Sequence, residues 1–296
     1  MIDTVGFIGF GEAAFHIAKG LREAGLGRTY AYDVNTHTVG LGEKIRARAQ
    51  ETQTELLDSN AAVTAACEVL FSAVTADQAT KAAEQTAPYL GSAHFYTDLN
   101  SVSPQTKQAI CRTVSASGAN FVEAAMMAPV PPHGHKVPTL LGGAAAPAFL
   151  ELLQPFGVRM EVVSTDQIGR AAAVKMFRSI VYKGLEALML ECVLGANHYG
   201  AEPRVFASLN ESFPGVDFQK LADYMIGRVA IHGERRAREL EEVAGTLRQL
   251  GVEPIMAEAT VRRMDWVASF DLPAHFNGEF PKTHQEVLEA ILVGQA

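Results

Sequence analysis

The chain opens with "TVGFIGFGEAAFHIAKGLREAGLGRTYAYDVN", a stretch that very few folds accommodate. Residues 4–8 form a short apolar run, dense enough for a strand buried on both faces. Gly9, Gly11 and Ala14 follow as G-x-G-x-x-A, apolar residues recur at helical spacing over 13–21, and a second strand over 29–32 ends at Asp33. Gly9 permits the tight turn, Gly11 lets backbone approach a pyrophosphate, and the small Ala14 keeps helix close to strand. The helix start, with Phe10, Glu12 and Ala13, presents N–H groups to phosphate. Asp33 stands where it accepts hydrogen bonds from a ribose. In that order the residues predict a dinucleotide site. NAD is favoured, because a carboxylate at 33 repels a 2′-phosphate. NADP stays open, since Asn35, Thr36 and His37 can help hold a phosphate if Asp33 turns away.

The alternation continues. "EVLFSAV" (68–74), "HFYTDLN" (94–100), "ANFVEAAMM" (119–127), "TLLGG" (139–143) and "RMEVVS" (159–164) read as strands, with helical stretches such as 76–87 and 104–115 between them. This pattern predicts a parallel sheet covered on both faces, an α/β Rossmann-like domain over residues 1–165. Ligands of such sheets bind at the carboxyl ends of strands. That places Val74, Thr75, Asn100, Ser101 and the loop 126–135, Met127 included, among the candidate site residues. Strand signals then stop. Residues 166–296 read as an all-α domain, with long helices over 167–199 and 218–250, a shorter one over 255–268, and a turn at "NESFPGVDF".

A length of 296 residues suits two domains, and 48% apolar with 20% charged residues suits a globular chain. A net charge of −8 argues against nucleic acid or an anionic membrane as the main partner. With no apolar run of membrane-span length and no basic leader, a cytoplasmic protein is expected. Cys67, Cys111 and Cys192 have no metal-ligand spacing and are expected as small buried hydrophobes. His133 and His135, in "PVPPHGHKVP", have no acid or cysteine at ligand spacing. No metal site is expected, and this loop is expected beside the substrate.

"AAAVKMFRSIVYKG" (171–184) sets Lys175 in an apolar helical turn, with Arg178 and Ser179 one turn on. Taken alone, the lysine snorkels. Lys183, two turns further, is expected to partner an acid. In "IHGERRARELEE" (231–242), His232, Arg235, Arg236 and Glu239 fall at i, i+3, i+4 and i+7 and form one stripe. Two readings of the stripe stand: a solvated face with ion pairs such as Arg235 to Glu239, or an anion site for a substrate carboxylate or phosphate.

Together these segments resemble the β-hydroxyacid dehydrogenases, the family of 3-hydroxyisobutyrate and 6-phosphogluconate dehydrogenases. "GFIGFGEAA" is similar to the family's cofactor motif and "DLNSVSP" (98–104) to its substrate segment. "GRAAAVKMFRS" (169–179) is similar to its catalytic segment, with Lys175 on the catalytic lysine. "MAPVPPHGHKVPTLLGG", "KGLEALMLE" and "HGERRARELEEVA" resemble a bacterial subgroup with a C-terminal domain of unassigned function. The departures are Met126-Met127-Ala128-Pro129 for a Ser-Gly-Gly segment, Arg178-Ser179 for an asparagine pair, and Arg238-Glu239 for a Lys-Asp pair.

The resemblance implies NAD(P)-dependent oxidation of a secondary alcohol in a small, anionic hydroxy acid, with Lys175 as general acid/base. Ser179, on the same helix face, would bond the same hydroxyl; Asn100 or Ser101 would hold the carboxylate. Met127, Arg178, His232, Arg235 and Arg236 complete the expected substrate residues. Long helices with apolar faces, and the resemblance, imply a homodimer. The departures leave the substrate unnamed. Two alternatives are an imine reductase using NADP, against which Lys175 and Asp33 count, and a non-catalytic dinucleotide sensor, which has no need of Lys175.

Overall fold

The computed structural model describes residues 2–295. Contacts divide the chain into two compact units, one running up to Lys175 and the other from Met176 onward. The strand signals do end at Ser164, but the units part later, inside a helix, and not at residue 165.

The first unit holds strands β1 (Thr4–Ile8), β2 (Arg28–Tyr32), β3 (Thr54–Leu56), β4 (Val69–Ser72), β5 (Phe95–Asp98), β6 (Asn120–Met126), β7 (Thr139–Gly142) and β8 (Met160–Ser164). They form one sheet in the order β3-β2-β1-β4-β5-β6-β7-β8. Helices α1 (Glu12–Glu23), α2 (Leu41–Thr52), α3 (Asn60–Ala66), α4 (Ala79–Thr86), α5 (Pro104–Ser115) and α6 (Ala146–Leu153) connect them. Both faces are buried. Phe7, Phe71 and Phe149 pack in one core with Ile17 of α1 and Ile45 of α2, whereas Ile8, Leu70 and Tyr96 pack in another with Val63 of α3 and Ile110 of α5. Neighbours such as Phe7 and Ile8 face opposite ways, as the two-residue period of a strand requires.

The sheet is mostly parallel, as expected, with one reversal. β1 to β6 are parallel, but β7 runs antiparallel to β6, from Met126↔Thr139 to Glu123↔Gly142, and β8 is parallel to β7. A parallel return needs a crossover, usually a helix. The connection from β6 to β7 contains only a short 3₁₀ turn at Gly134–Lys136.

Helix α7 (Arg170–His198) begins in the first unit and continues into the second. The second unit adds α8 (Glu202–Ser212), α9 (Phe218–Gln249), α10 (Ile255–Ala268), α11 (Leu272–His275) and α12 (His284–Gln295). Its core joins Leu190 and Val193 of α7, Ile226 and Leu240 of α9, Met264 of α10 and Leu288 of α12. Among the described residues, no helix is long and apolar enough to cross a membrane.

Candidate functional site

The glycine turn is built by local geometry. Gly9 has φ +85, where only glycine sits without strain, and a Cβ there would lie 2.7 Å from both Ala73 O and Val74 Cγ1. Gly11 is different. Its φ of −75 suits any residue, and a Cβ would meet nothing within 4 Å. No protein atom requires glycine there, which fits a cradle kept open for a phosphate group. The start of α1 has no side-chain cap, so N–H groups of its first turn remain for an anion. Phe10 is a core side chain at 0% exposure and offers only its backbone. Glu12 is exposed and Ala13 half-buried.

Asp33 is half-buried and does not turn away. Its Oδ2 accepts the Phe10 N–H at 2.8 Å and its Oδ1 accepts the Asn35 N–H at 2.8 Å. Each carboxylate oxygen has a second lone pair to offer a ribose hydroxyl. Arg46 of α2 donates to Thr36 O, so an arginine does reach the loop after β2, which the sequence reading missed.

At the ends of β4 and β5, Asn100 is buried and engaged on both sides of its amide. Oδ1 accepts the Val74 N–H at 2.8 Å, and Nδ2 donates to Ser72 Oγ at 3.0 Å and to Asp98 Oδ1. Both amide hydrogens are engaged, so this residue fixes the loop. Thr75 is exposed and Val74 half-buried. Beneath them, buried Lys107 pairs with buried Asp98 at 2.9 Å and also donates to Asp98 O at 2.7 Å.

Ser101, next along, is exposed, and its Oγ accepts from Lys175 Nζ at 2.7 Å. The helix that carries this lysine is anchored from the sheet by a residue the sequence reading passed over. Glu123 of β6 is fully buried; its Oε2 accepts the Gly169 N–H and its Oε1 the Ala172 N–H, each at 2.6 Å. One carboxylate thus caps the start of α7, where N–H groups and dipole favour an anion. Gly142, opposite on β7, makes room, since a Cβ there would lie 2.7 Å from Glu123 Oε2. Gly169 takes φ +102 against Pro104, and Gln108 Nε2 donates to Ile168 O at 3.0 Å. The only sequence signal was a lone acid within the buried run "NFVEAAM".

In the helical unit, Ser179 is half-buried and donates to Met176 O at 2.6 Å. Arg178 is exposed and stacks on Tyr182, 5.1 Å from its ring centre. Lys183 is buried against Glu239 at 2.8 Å, the acid partner expected of it. Burial pushes the Lys183 pKa below its ordinary value, only partly offset by Glu239. Arg236 grips the fully buried Glu186 through Nε at 2.7 Å and through Nη2, so it is occupied and not open to a substrate. Arg235 is exposed and pairs with Glu239 at 3.9 Å. For these two arginines the ion-pair reading of the stripe holds. His232 has its pKa lowered by burial and then by Arg235, Arg228 and Arg236.

Met127 is half-buried, with its N–H on Pro138 O at 2.8 Å. The loop after it does not stay beside the strand ends. His135 is buried against α1, where a Cβ on Gly20 would lie 2.1 Å from its Nδ1, and its Nε2 meets Phe156 O at 2.9 Å. His133 is exposed. Cys67 is buried, and burial pushes its thiol up to about 12; Cys111 is half-buried, but Cys192 is exposed, so one of the three is not a core hydrophobe. Among the described residues no group of three potential ligands could hold a metal.

Residues 4–98 match the family described as NADP oxidoreductase coenzyme F420-dependent, and residues 196–267 match a domain of unknown function (DUF1932). A solved conserved hypothetical protein from Sinorhizobium meliloti 1021 is 34% identical, with TM-score 0.82 over 99% of this chain and 97% of its own. A solved conserved protein of unknown function, described as structurally similar to 3-hydroxyacid dehydrogenases, is 28% identical, with TM-score 0.77 over 99% of this chain and 100% of its own. The 3-hydroxyisobutyrate dehydrogenase of Mycobacterium tuberculosis, solved with L-serine, shares the fold at 12% identity, with TM-score 0.74 over 100% of both chains.

Proposed function

The chain belongs to a β-hydroxyacid dehydrogenase-like family whose C-terminal part is the DUF1932 domain, and from that membership we propose an NAD(P)-dependent oxidoreductase acting on the secondary alcohol of a small hydroxy acid. The observation that carries the proposal is the 2.7 Å contact from Lys175 Nζ to Ser101 Oγ, just past the carboxyl end of β5. A snorkelling lysine has no need of a partner there, whereas a proton-transferring lysine needs a group that fixes its position.

Gly9, Gly11 and the uncapped first turn of α1 would hold the cofactor's pyrophosphate, and Asp33 its ribose. When bound, the nicotinamide supplies a hydride acceptor or donor. Lys175 takes the proton of the substrate hydroxyl in oxidation and returns it in reduction. Ser101 orients that lysine and would hold the substrate acid. Asn100 positions Ser101 through Val74, Ser72 and Asp98. Glu123 positions Lys175 by fixing the first turn of α7. Asp33 supports NAD over NADP, while Arg46 beside Thr36 leaves a route to the phosphorylated form.

The test is a screen of hydroxy acids with NAD and NADP, followed by Lys175→Ala on whichever substrate turns over. Loss of a general base costs about 10²–10⁴ in rate. A fall in kcat of that order with dinucleotide affinity retained is expected. Full turnover in Lys175→Ala would remove Lys175 from the chemistry, and cofactor binding with no hydroxy acid oxidised would overturn the proposed substrate class.

A further inference from the structure

The helical unit contains a group of donors that its own carboxylates satisfy only in part. Two guanidiniums lie near the ring of Tyr182: Arg178 with Cζ at 5.1 Å and Arg228 at 5.9 Å from its centre. Arg228 also lies 5.5 Å from the ring centre of Tyr224. The two phenols are linked, Tyr182 Oη donating to Tyr224 Oη at 3.2 Å, and Arg228 Nη1 donates to the same Tyr224 oxygen at 3.3 Å. Tyr224 therefore accepts twice and keeps its own O–H for an outside acceptor. It is 52% exposed, so that hydrogen can reach one.

The nearby carboxylates are already engaged. Glu186 is held by Nε and Nη2 of Arg236. Arg228 Nε approaches Glu186 Oε1 only to 3.4 Å, and that buried Nε has no hydrogen-bond partner. Glu239 is held by Lys183 and, more loosely, by Arg235. Among the described residues, no carboxylate pairs with Arg178. In a chain of net charge −8, this local surplus of positive charge stands out against the whole.

We propose that the helical unit binds an oxyanion, a carboxylate or phosphate, through Arg178, Arg228 and the Tyr224 hydroxyl. All three present donors, and a ligand that only accepts is the one that completes them. Guanidinium forks suit both acids, and bonds to an ionised acceptor are the stronger kind. A cation is repelled, and a neutral ligand leaves Arg178 without a carboxylate and the Arg228 Nε without a hydrogen-bond partner. The nature of the occupant rests on the dehydrogenase reading. On that reading the anion is an acidic group of a small organic molecule. The binding itself does not depend on that reading. His232 acts as a reporter: burial and then Arg235, Arg228 and Arg236 lower its pKa, and an anion beside Arg228 offsets part of that lowering.

The experiment is a titration of the full chain with inorganic phosphate and, separately, succinate, with acetate as a weak-binding control. Arginine Nε–H and His232 ring resonances are followed by NMR. Saturable shifts at Arg178 and Arg228 and a raised His232 pKa are expected with phosphate or succinate. The tighter of the two names the acid class. Arg178→Gln, an exposed change that removes one stacking contact, should weaken binding about tenfold or more, or about 1.4 kcal/mol. Arg228→Lys tests the second arm with the charge kept, and should weaken binding by losing the fork. Arg235→Gln should bind as the wild type does. No saturable shift with either anion overturns the site, as does binding indifferent to Arg178→Gln and Arg228→Lys. Lys175→Ala should bind phosphate normally. Loss of turnover without loss of anion binding thus separates this site from the role of Lys175.

Discussion

Asp33 performs two tasks, and a mutational test has to separate them. Its oxygens accept the amides of Phe10 and Asn35, tying β2 to the glycine turn. Asp33→Ala leaves both N–H groups without that acceptor, at a cost of about 1–3 kcal/mol for each that stays buried. The readout of cofactor choice is therefore a ratio. The NADP-to-NAD ratio of kcat/KM should rise in Asp33→Ala, because repulsion of the 2′-phosphate goes while the structural loss falls on both cofactors alike. An unchanged ratio would remove Asp33 from ribose recognition. At this scale the sequence was legible wherever chemistry is local. The turn from Gly9 to Asp33 and the lysine in its apolar turn are contiguous patterns. The saturated amide of Asn100 was not legible, because its partners Ser72, Val74 and Asp98 converge only once β4 and β5 lie side by side. Glu123 was missed for the same reason. Nothing in "NFVEAAM" says that a helix begins next to the acid.

Among the elements, α7 depends on neighbours far away in sequence. Gly142→Ala would put a methyl group 2.7 Å from Glu123 Oε2, and overpacking of this kind costs about 1–3 kcal/mol. A lowered Tm with lowered turnover is expected, since the cap also positions Lys175; unchanged values of both would mean that α7 does not need it. Glu123→Gln should act similarly, by turning an amide N–H toward a backbone N–H. Further along, α7 exposes Val181 at 64%, Leu185 at 41%, Leu188 at 55% and Tyr199 at 85%. The first three recur at four and three residues, the spacing of a helix seam. We propose that this stripe is the surface by which two copies associate. Light scattering at micromolar concentration should give a dimer, and Leu188→Glu a monomer; a monomeric wild type would refute the assignment. Long helices were legible from their periodicity, whereas β3, with three residues, and the polar α2 were not. The reversed β7 escaped because strand direction is set by the connection, not by the strand's own residues.

For the whole molecule, each unit holds a histidine whose pKa lies below the ordinary value of about 6.5. His135 is lowered chiefly by burial, and His232 by burial and then by its arginines. With the folded pKa depressed, the unfolded chain binds more protons in the interval below about 6.5, so stability falls as pH drops through it and levels off beneath the folded pKa. Glu186, raised by burial, works in the opposite sense over its own interval above the usual carboxylate range. His135→Gln keeps a donor for Phe156 O but cannot titrate. Between about pH 7.5 and about 5.5 its Tm should fall less than that of the wild type. An identical fall would show that His135 is not a source of the acid sensitivity.

The cap on α7 also constrains how this chain can evolve. Glu123 needs the bare backbone of Gly142 beside it and the left-handed turn of Gly169 beneath the helix. An alanine at 142 forces the Glu123 carboxylate to shift from its place on the helix start, and a shorter acid at 123 no longer spans from Gly169 to Ala172. None of the three can drift alone without passing through a weakened intermediate. They form an epistatic set, and sequences that diverge from this one should either keep all three or replace them together.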